Sequence, residues 1–316
     1  MRLSRWDPNR LSRALRAREP VTLATADIGD WLPAEIVPLC HAVERPEWQA
    51  WLAPPARPNP RPEARVTVVI PAWRAAPLAL RALRAQDEPV DIRVAWNGQL
   101  QAPEMPEATV QNVAWLGHGR TRQAALAGIT TPYVLFLVDD ATPLGAGFVR
   151  TMVEHLEQGY DAVWARQIAW PDATRRARNR LRDWCPAEGP VPETRLDHVC
   201  ALHRISLLRV DPLDDVPIAE DWAWGRRHRC GLVAGAPVLH SHRPSFRGSF
   251  RRTRAIHGVL RAAGEPATVG GVGDLLRALP GCALDRDALG ELLGQVGIAT
   301  RGAPRPGWVP RAGAKR

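Results

Sequence analysis

At 316 residues with 45% apolar content, the chain is long enough for one large domain or two small ones around a substantial core. Its formal net charge of +9 is carried almost wholly by arginine, with Lys315 the single lysine, and favours anionic partners: nucleic acid, phosphorylated small molecules or acidic lipid surfaces. Five cysteines (Cys40, Cys185, Cys200, Cys230, Cys282) without a C-x-x-C spacing argue against a disulfide frame or a zinc site and for reduced thiols in the cytoplasm.

The opening residues have no apolar stretch long enough for a signal peptide, and no run approaches the length of a membrane span. "PAEIVPLCHAVERPEWQAWL" predicts a helix, and "APPARPNPRPEAR" (53–65) a semi-rigid proline-rich linker. Strand and helix patterns then alternate: "RVTVVIPAW" (65–73) a buried strand, "APLALRALRAQ" (76–86) a helix, "DIRVAWNG" (91–98) a strand ending at a turn signal. "GRTRQAALAGI" (119–129) predicts a helix, "YVLFLVDD" a strand, "GAGFVRTMVEHLEQG" (145–159) a helix and "DAVWARQIAW" (161–170) a strand. Such alternation predicts an α/β fold with a mostly parallel, doubly wound sheet and helices on both faces. From 171 to 200 the pattern loosens, and "PDATRRARNRLRDW" (171–184) reads as a flexible basic segment. "HVCALHRISLLRV" returns to order, "IAEDWAWGRRHRCG" reads as a helix ending at Gly231, "AGAPVLHSHRPS" as a strand running into a polar loop, and "FRGSFRRTRAIHGVLRAAG" as a basic helix. Two small helices and a disordered tail (301–316) close the chain.

Three groups of chemistry-bearing residues lie at the ends of these elements: Asp139–Asp140 after a buried apolar strand, Glu220–Asp221 opening a helix, and His240 with His242 closing a strand. In open α/β sheets ligands bind beyond the carboxyl ends of the strands. A carboxylate with an imidazole there suits magnesium or manganese, and a further carboxylate can take a proton from an attacking hydroxyl. Each group also has a plainer use. The two aspartates can polarise a turn, with Thr142 capping a helix before Pro143; Glu220–Asp221 can complement a helix dipole; either histidine can be a core or surface residue. His240 and His242 alternate on a strand, so one of them faces any crevice.

The segments, taken in order, resemble family 2 glycosyltransferases with the GT-A fold over residues 65–260 or so. "VTVVIPAW" is similar to the family's first strand and nucleobase loop, "FLVDDATP" to its D-x-D region, "EDWAWGRRHRCG" to the helix bearing the catalytic base, and "VLHSHRPSF" to the histidine-bearing strand end. "GHGRTRQAALAG", "DAVWARQIAWPDA" and "LHSHRPSFRGSFRRTRAIHG" look most like the bacterial rhamnosyltransferase branch, in which the first D-x-D position, here Val138, is usually not acidic. Gln123, Ala165 and Pro244 depart from that branch's asparagine, glycine and tyrosine, and Asn97 stands where many relatives carry an aspartate for the base.

The resemblance implies an N-terminal segment (1–64), a GT-A domain (65–264) and C-terminal helices with a tail (265–316). It implies an inverting transfer of a sugar, rhamnose from dTDP-rhamnose first among donors, to an acceptor hydroxyl. Asp221 is the implied base. Asp140 with His240 or His242 would hold Mg2+ or Mn2+; Pro71, Ala72, Trp73, Asn97, Arg120, Gln123 and Asp139 would contact the nucleotide. Glu220, Trp222 and Trp224 would meet the acceptor, and Arg120, Arg251 and Arg252 would contact phosphate. The donor is a dTDP- or UDP-sugar; the acceptor stays open among glycan, lipid-linked glycan, peptide and small molecule. The expected location is cytoplasmic, with the basic segments 174–182 and 247–254 allowing peripheral contact at the inner membrane face. The competing readings are a GT-A-like binding subunit without activity and a nucleic-acid-binding protein; against the latter, the arginines are dispersed and no nucleic-acid-binding motif occurs.

Overall fold

The computed structural model describes residues 2–3, 22–23, 64–73, 76–98, 101–169, 173, 175–216, 218–241 and 246–262. The expected N-terminal helix, nearly all of the proline-rich linker, His242, and the C-terminal helices and tail lie outside the described residues. The chain divides into two compact units: Met1–Trp115, Thr121–Pro212 and Trp224–His242 form the first, and Leu116–Arg120, Leu213–Ala223 and Arg243–Arg316 the second.

The first unit is built on eight strands: β1 (Val66–Ala72), β2 (Val90–Trp96), β3 (Thr109–Asn112), β4 (Tyr133–Leu137), β5 (Thr142–Pro143), β6 (Ala162–Ile168), β7 (Cys200–Arg204) and β8 (Cys230–Leu239). They lie in the order β3-β2-β1-β4-β7-β6-β8-β5. Residues Arg2–Leu3 and Thr22–Leu23 form a separate short parallel pair. The helices among the described residues are α1 (Pro77–Arg84), α2 (His118–Ala124), α3 (Phe148–Leu156), α4 (Arg175–Trp184), α5 (Ile205–Val210), α6 (Glu220–Gly225) and α7 (Phe246–Ala262).

β4 shows why the sheet forms where it does. All five of its residues are buried, so both faces are covered. Leu135 and Leu137 join the main core with Phe148, Val149, Met152, Val153 and Leu156 of α3. Phe136, one residue out of phase, turns to the opposite face and meets His198 and His203 edge-on, with ring centroids 5.3 and 5.5 Å away. Each fully buried side chain of this size contributes about 1.5–3 kcal/mol, which makes the carboxyl end of β4 a rigid platform. A buried glutamine secures the next connection: Gln86 donates to the carbonyls of Ala82 and Gly145 and accepts from Val149 N, satisfying an otherwise orphaned amide in the first turn of α3.

The expected α/β class holds, but the sheet is mixed. β1 pairs in parallel with β2 and β4, β2 with β3, and β6 with β8. β7 is inserted antiparallel between β4 and β6, and β5 pairs antiparallel with β8. The reason lies in the preceding connection. Trp184, ending α4, is hydrogen bonded to Asp197, just before β7. The chain is therefore at the carboxyl edge when it enters β7, and it must run backwards.

Three local expectations also change. The segment read as flexible contains helix α4, whose Ala177, Leu181 and Trp184 recur at helical spacing beneath the arginines. The helix read through to Gly231 ends at Gly225, where a Cβ would lie 2.9 Å from both Leu196 Cβ and Thr194 O. β8 then begins at Cys230, whose N–H donates to Glu193 O. β3, a polar edge strand, carried no apolar alternation to announce it.

Candidate active site

The strand order β3-β2-β1-β4 places a topological switch point between β1 and β4, the position at which open α/β sheets bind ligands. β1 and β4 run in register, Val69 beside Phe136, so Ala72 and Asp139 leave the sheet side by side. Val138 N donates to Val199 O, and Ala141 N donates back to Val138 O, closing a turn with Asp139 and Asp140 at its centre. Thr142 and Pro143 form β5 and do not start a helix; α3 begins at Phe148 behind Gly147. No helix follows for Thr142 to cap, and of the plainer use only the turn around the two aspartates is present.

His240 reaches the same turn through strand pairing. Leu239 pairs with Thr142 across β8 and β5, and His240 N donates to Ile168 O at 2.9 Å. The next step along both strands brings His240 Nε2 to 3.6 Å from Asp140 Oδ1, with side-chain exposures of 5% and 27%. Of the two histidines expected at this strand end, His240 is the one beside the aspartate; His242 lies outside the described residues.

Behind His240 stands a chain of side chains that sequence reasoning did not single out. His240 Nδ1 lies 2.8 Å from Gln167 Oε1. Gln167 Nε2 donates to Asp197 Oδ2 at 2.7 Å, and the same oxygen accepts from Trp184 Nε1 at 2.9 Å. Asp197 Oδ1 accepts from Val199 N at 2.9 Å. Gln167 and His240 are both buried. The available signal for Gln167 was a polar residue, beside Arg166, in the otherwise apolar run of β6; Asp197 carried none.

The residues expected at the nucleotide lie partly on this edge. Pro71 and Ala72 end β1, Asn97 N donates to Ala72 O at 2.8 Å, and Trp73 is 63% exposed. Gln123 is half-buried, and its amide nitrogen donates to Leu208 O at 3.2 Å, tying α2 to α5. On the opposite face of β4, Arg122 is buried over the Phe136 ring and donates to His198 O. His198 and His203 approach within 3.0 Å through their Nε2 atoms. Burial, reinforced by His198, His228 and Arg122, holds His203 well below the usual histidine range.

Trp224 is a correction. Expected to stack on an acceptor, it is fully buried. Its ring stacks on His228 at a 3.6 Å centroid distance, meets His203 edge-on, and donates Nε1–H to Asp211 O. These contacts make it a core residue.

In the second unit, Glu220 and Asp221 open α6. Asp221 is half-buried, with Oδ1 accepting from Trp222 N at 2.8 Å; Glu220 is buried. Ala219, directly before them, has φ +67°, the one non-glycine residue with positive φ among those described. Backbone strain of this kind concentrates at functional sites. Gly119 passes so close to Asp214 O and Glu220 Cβ that any side chain there would collide. Arg120 pairs with Asp215 at 3.2 Å, both largely exposed, and Arg251 and Arg252 are exposed on α7.

Among the described residues, no group of three or more His, Cys, Asp or Glu is arranged to hold a metal ion alone. Asp140 and His240 provide two donors, and at 3.6 Å apart both can lie about 2.1 Å from one ion. A site with so few protein ligands fits a cation that shares its coordination with substrate phosphates. Among the described residues no helix is long and apolar enough to cross a membrane.

No protein-family model matches the chain, and no curated protein matches it. Among solved structures it is similar to the mannosyltransferase PcManGT of Pyrobaculum calidifontis in complex with GDP-Man and Mn2+, at 17% identity over 85% of this chain and 87% of that one, with a TM-score of 0.49. It is also similar to S. aureus TarS 1–349 in complex with UDP-GlcNAc, at 13% identity over 74% and 91% of the two chains, TM-score 0.44. A third is the glucosyl-3-phosphoglycerate synthase of Mycobacterium tuberculosis in complex with Mn2+, UDP and phosphoglyceric acid, at 19% identity over 66% and 81%, TM-score 0.43.

Proposed function

We propose that the chain is an inverting, metal-dependent glycosyltransferase of the GT-A type that takes its sugar from a nucleotide diphosphate donor. One observation carries the proposal. Asp140 and His240, a hundred residues apart along the chain, meet at 3.6 Å on the carboxyl edge of the sheet, next to the switch point between β1 and β4. A carboxylate facing an imidazole nitrogen across that gap makes a cation site, and a diphosphate brings the oxygens needed to complete it.

Asp140 and His240 would hold Mn2+ or Mg2+, and an ion bound there would supply positive charge against the leaving diphosphate. The backbone at Pro71–Ala72 and the exposed ring of Trp73 receive the nucleobase; Asn97, Asp139, Arg120 and Gln123 complete the proposed nucleotide contacts. The acceptor oxygen attacks the anomeric carbon from the face opposite the diphosphate, the bond from that carbon to the diphosphate oxygen breaks, and the hydroxyl proton passes to Asp221. A single displacement inverts the anomeric centre. Glu220 and Trp222 are the proposed acceptor contacts. Ala219 at φ +67° supports the assignment of Asp221, because a left-handed alanine is held only where the surrounding structure imposes it.

The donor proposed is dTDP-rhamnose, on the strength of "GHGRTRQAALAG", "ARQIAWPDA" and "HSHRPSF". A panel of nucleotide sugars incubated with the full chain, with and without Mn2+, tests the assignment through nucleotide diphosphate release. Metal-dependent release from dTDP-rhamnose in preference to UDP-sugars is the expected result. Release from no donor in any metal contradicts the enzyme, and preference for another donor contradicts the sugar alone.

A further inference from the structure

We infer that Gln167 is a positioning residue: clamped by Asp197, it fixes the tautomer of His240 so that the ring presents an Nε2 lone pair toward Asp140. The inference rests on the proposed metal site and explains how this chain builds it.

The polarity of each link is forced by chemistry. Indole and backbone N–H groups only donate, so Asp197 accepts from Trp184 Nε1 and Val199 N. An ionised carboxylate only accepts, so the Gln167 atom 2.7 Å from Asp197 is the amide nitrogen. Gln167 then turns its carbonyl oxygen to His240 at 2.8 Å, and that oxygen also only accepts. The proton therefore sits on His240 Nδ1, which leaves Nε2 of the neutral ring as an acceptor, 3.6 Å from a carboxylate oxygen. In the neutral ring this sets two acceptors side by side, which a bound cation would bridge. The opposite tautomer would set the Nδ1 lone pair against Gln167 Oε1 in a buried setting where water does not compete.

The clamp is itself anchored. Gln167 N donates to Cys185 Sγ, and the Cys185 thiol lies within hydrogen-bonding distance of Gln167 O and Leu181 O. The end of α4 thus fastens to Asp197 through Trp184, and Cys185, the residue after it, fastens to β6. Outer partners that orient a metal-binding histidine typically change metal affinity 10- to 100-fold.

Two readouts test the inference on the full chain. Mn2+ binding in the presence of dTDP, followed by the electron paramagnetic resonance signal of the free ion, is compared for the wild type, Gln167→Leu, and the double variant Gln167→Glu with Asp197→Asn. The double variant moves the negative charge from position 197 to 167 and keeps the link to the ring, since Asn donates to Glu and Glu accepts from Nδ1, while Trp184 Nε1 loses its acceptor. Gln167→Leu is expected to bind Mn2+ about 10- to 100-fold more weakly, and the double variant to recover most of that loss. The His240 ring nitrogens are also observed by 15N NMR of the metal-free wild type at pH 8, assigned through signals lost in His240→Gln; the proton is expected on Nδ1. A proton on Nε2, or unchanged Mn2+ affinity in Gln167→Leu, overturns the inference. A wild type that binds no Mn2+ with dTDP but keeps the Nδ1 proton leaves the clamp standing and removes the metal site.

Discussion

Asp139 and Asp140 are consecutive in the turn after β4, and it is the second that lies 3.6 Å from His240. At the residue scale, the assignments separate by what each substitution removes. Asp221→Asn keeps shape and hydrogen bonding but cannot take a proton, so donor turnover with acceptor is expected to fall by a factor on the order of 100 to 10,000. Its melting temperature should stay within a degree or two of the wild type. A steady-state assay beside a thermal melt checks both. The cysteines give a second expectation. Burial pushes the thiols of Cys185 and Cys230 up to about 12 and that of Cys200 well above the usual range, so none forms thiolate near neutrality. Iodoacetamide at pH 8 should leave the three peptides unmodified in the native protein and label them after denaturation, as read by mass spectrometry. The neighbouring pair Asp140 and His240 was legible in the sequence because each ends an apolar run. Gln167 and Asp197 were not, since their meaning comes from a contact across strands. Trp224 misled because an aromatic beside two acids reads alike whether it faces a sugar or the core.

Apolar runs placed β1, β2 and β6 within a residue or two, and β4 to its first residue with an end three residues too late, since a strand covered on both faces needs no alternation to be seen. Direction is not written in such a run. β7 has the composition of its parallel neighbours, and its reversal depends on where α4 and the following loop deliver the chain. At this element scale the start of α6 is the most informative test. Ala219 sits at φ +67° immediately before Glu220 and Asp221. Glycine adopts that conformation without the Cβ clash, so Ala219→Gly should raise unfolding free energy by roughly 1 kcal/mol, after allowing for its more flexible unfolded state. Urea titration measures the gain. The expected cost is a lower kcat, because relaxing this segment loosens the proposed base; a variant more stable and fully active would show that the strain serves no purpose in turnover.

For the molecule as a whole, acid sensitivity should come in large part from one face of the sheet. His203 is fully buried between Phe136, His198 and Trp224 and held neutral well below the usual histidine range. Below about pH 6.5 the unfolded chain takes up a proton there and the folded chain does not. Stability is therefore complete above that pH and declines as pH falls toward the depressed folded value, by up to about 1.4 kcal/mol per pH unit from this group. Urea midpoints between pH 7.5 and 5.5 should show the decline. His203→Gln should flatten it, whatever it does to the absolute midpoint; a slope identical in wild type and variant would place the sensitivity elsewhere, for example with His155 or His257, whose burial also lowers them.

Turn and strand end bring a carboxylate and an imidazole to 3.6 Å, the pair proposed to share a cation with a diphosphate. The most direct trial of that claim is the rate of dTDP-rhamnose consumption by the wild type and by Asp140→Asn, each in Mn2+ and in EDTA. The wild type should turn over in Mn2+ and stop in EDTA, and Asp140→Asn should run about 100-fold or more below the wild type in Mn2+. Turnover by the wild type that is indifferent to EDTA, or an Asp140→Asn enzyme running at the wild-type rate, would contradict it.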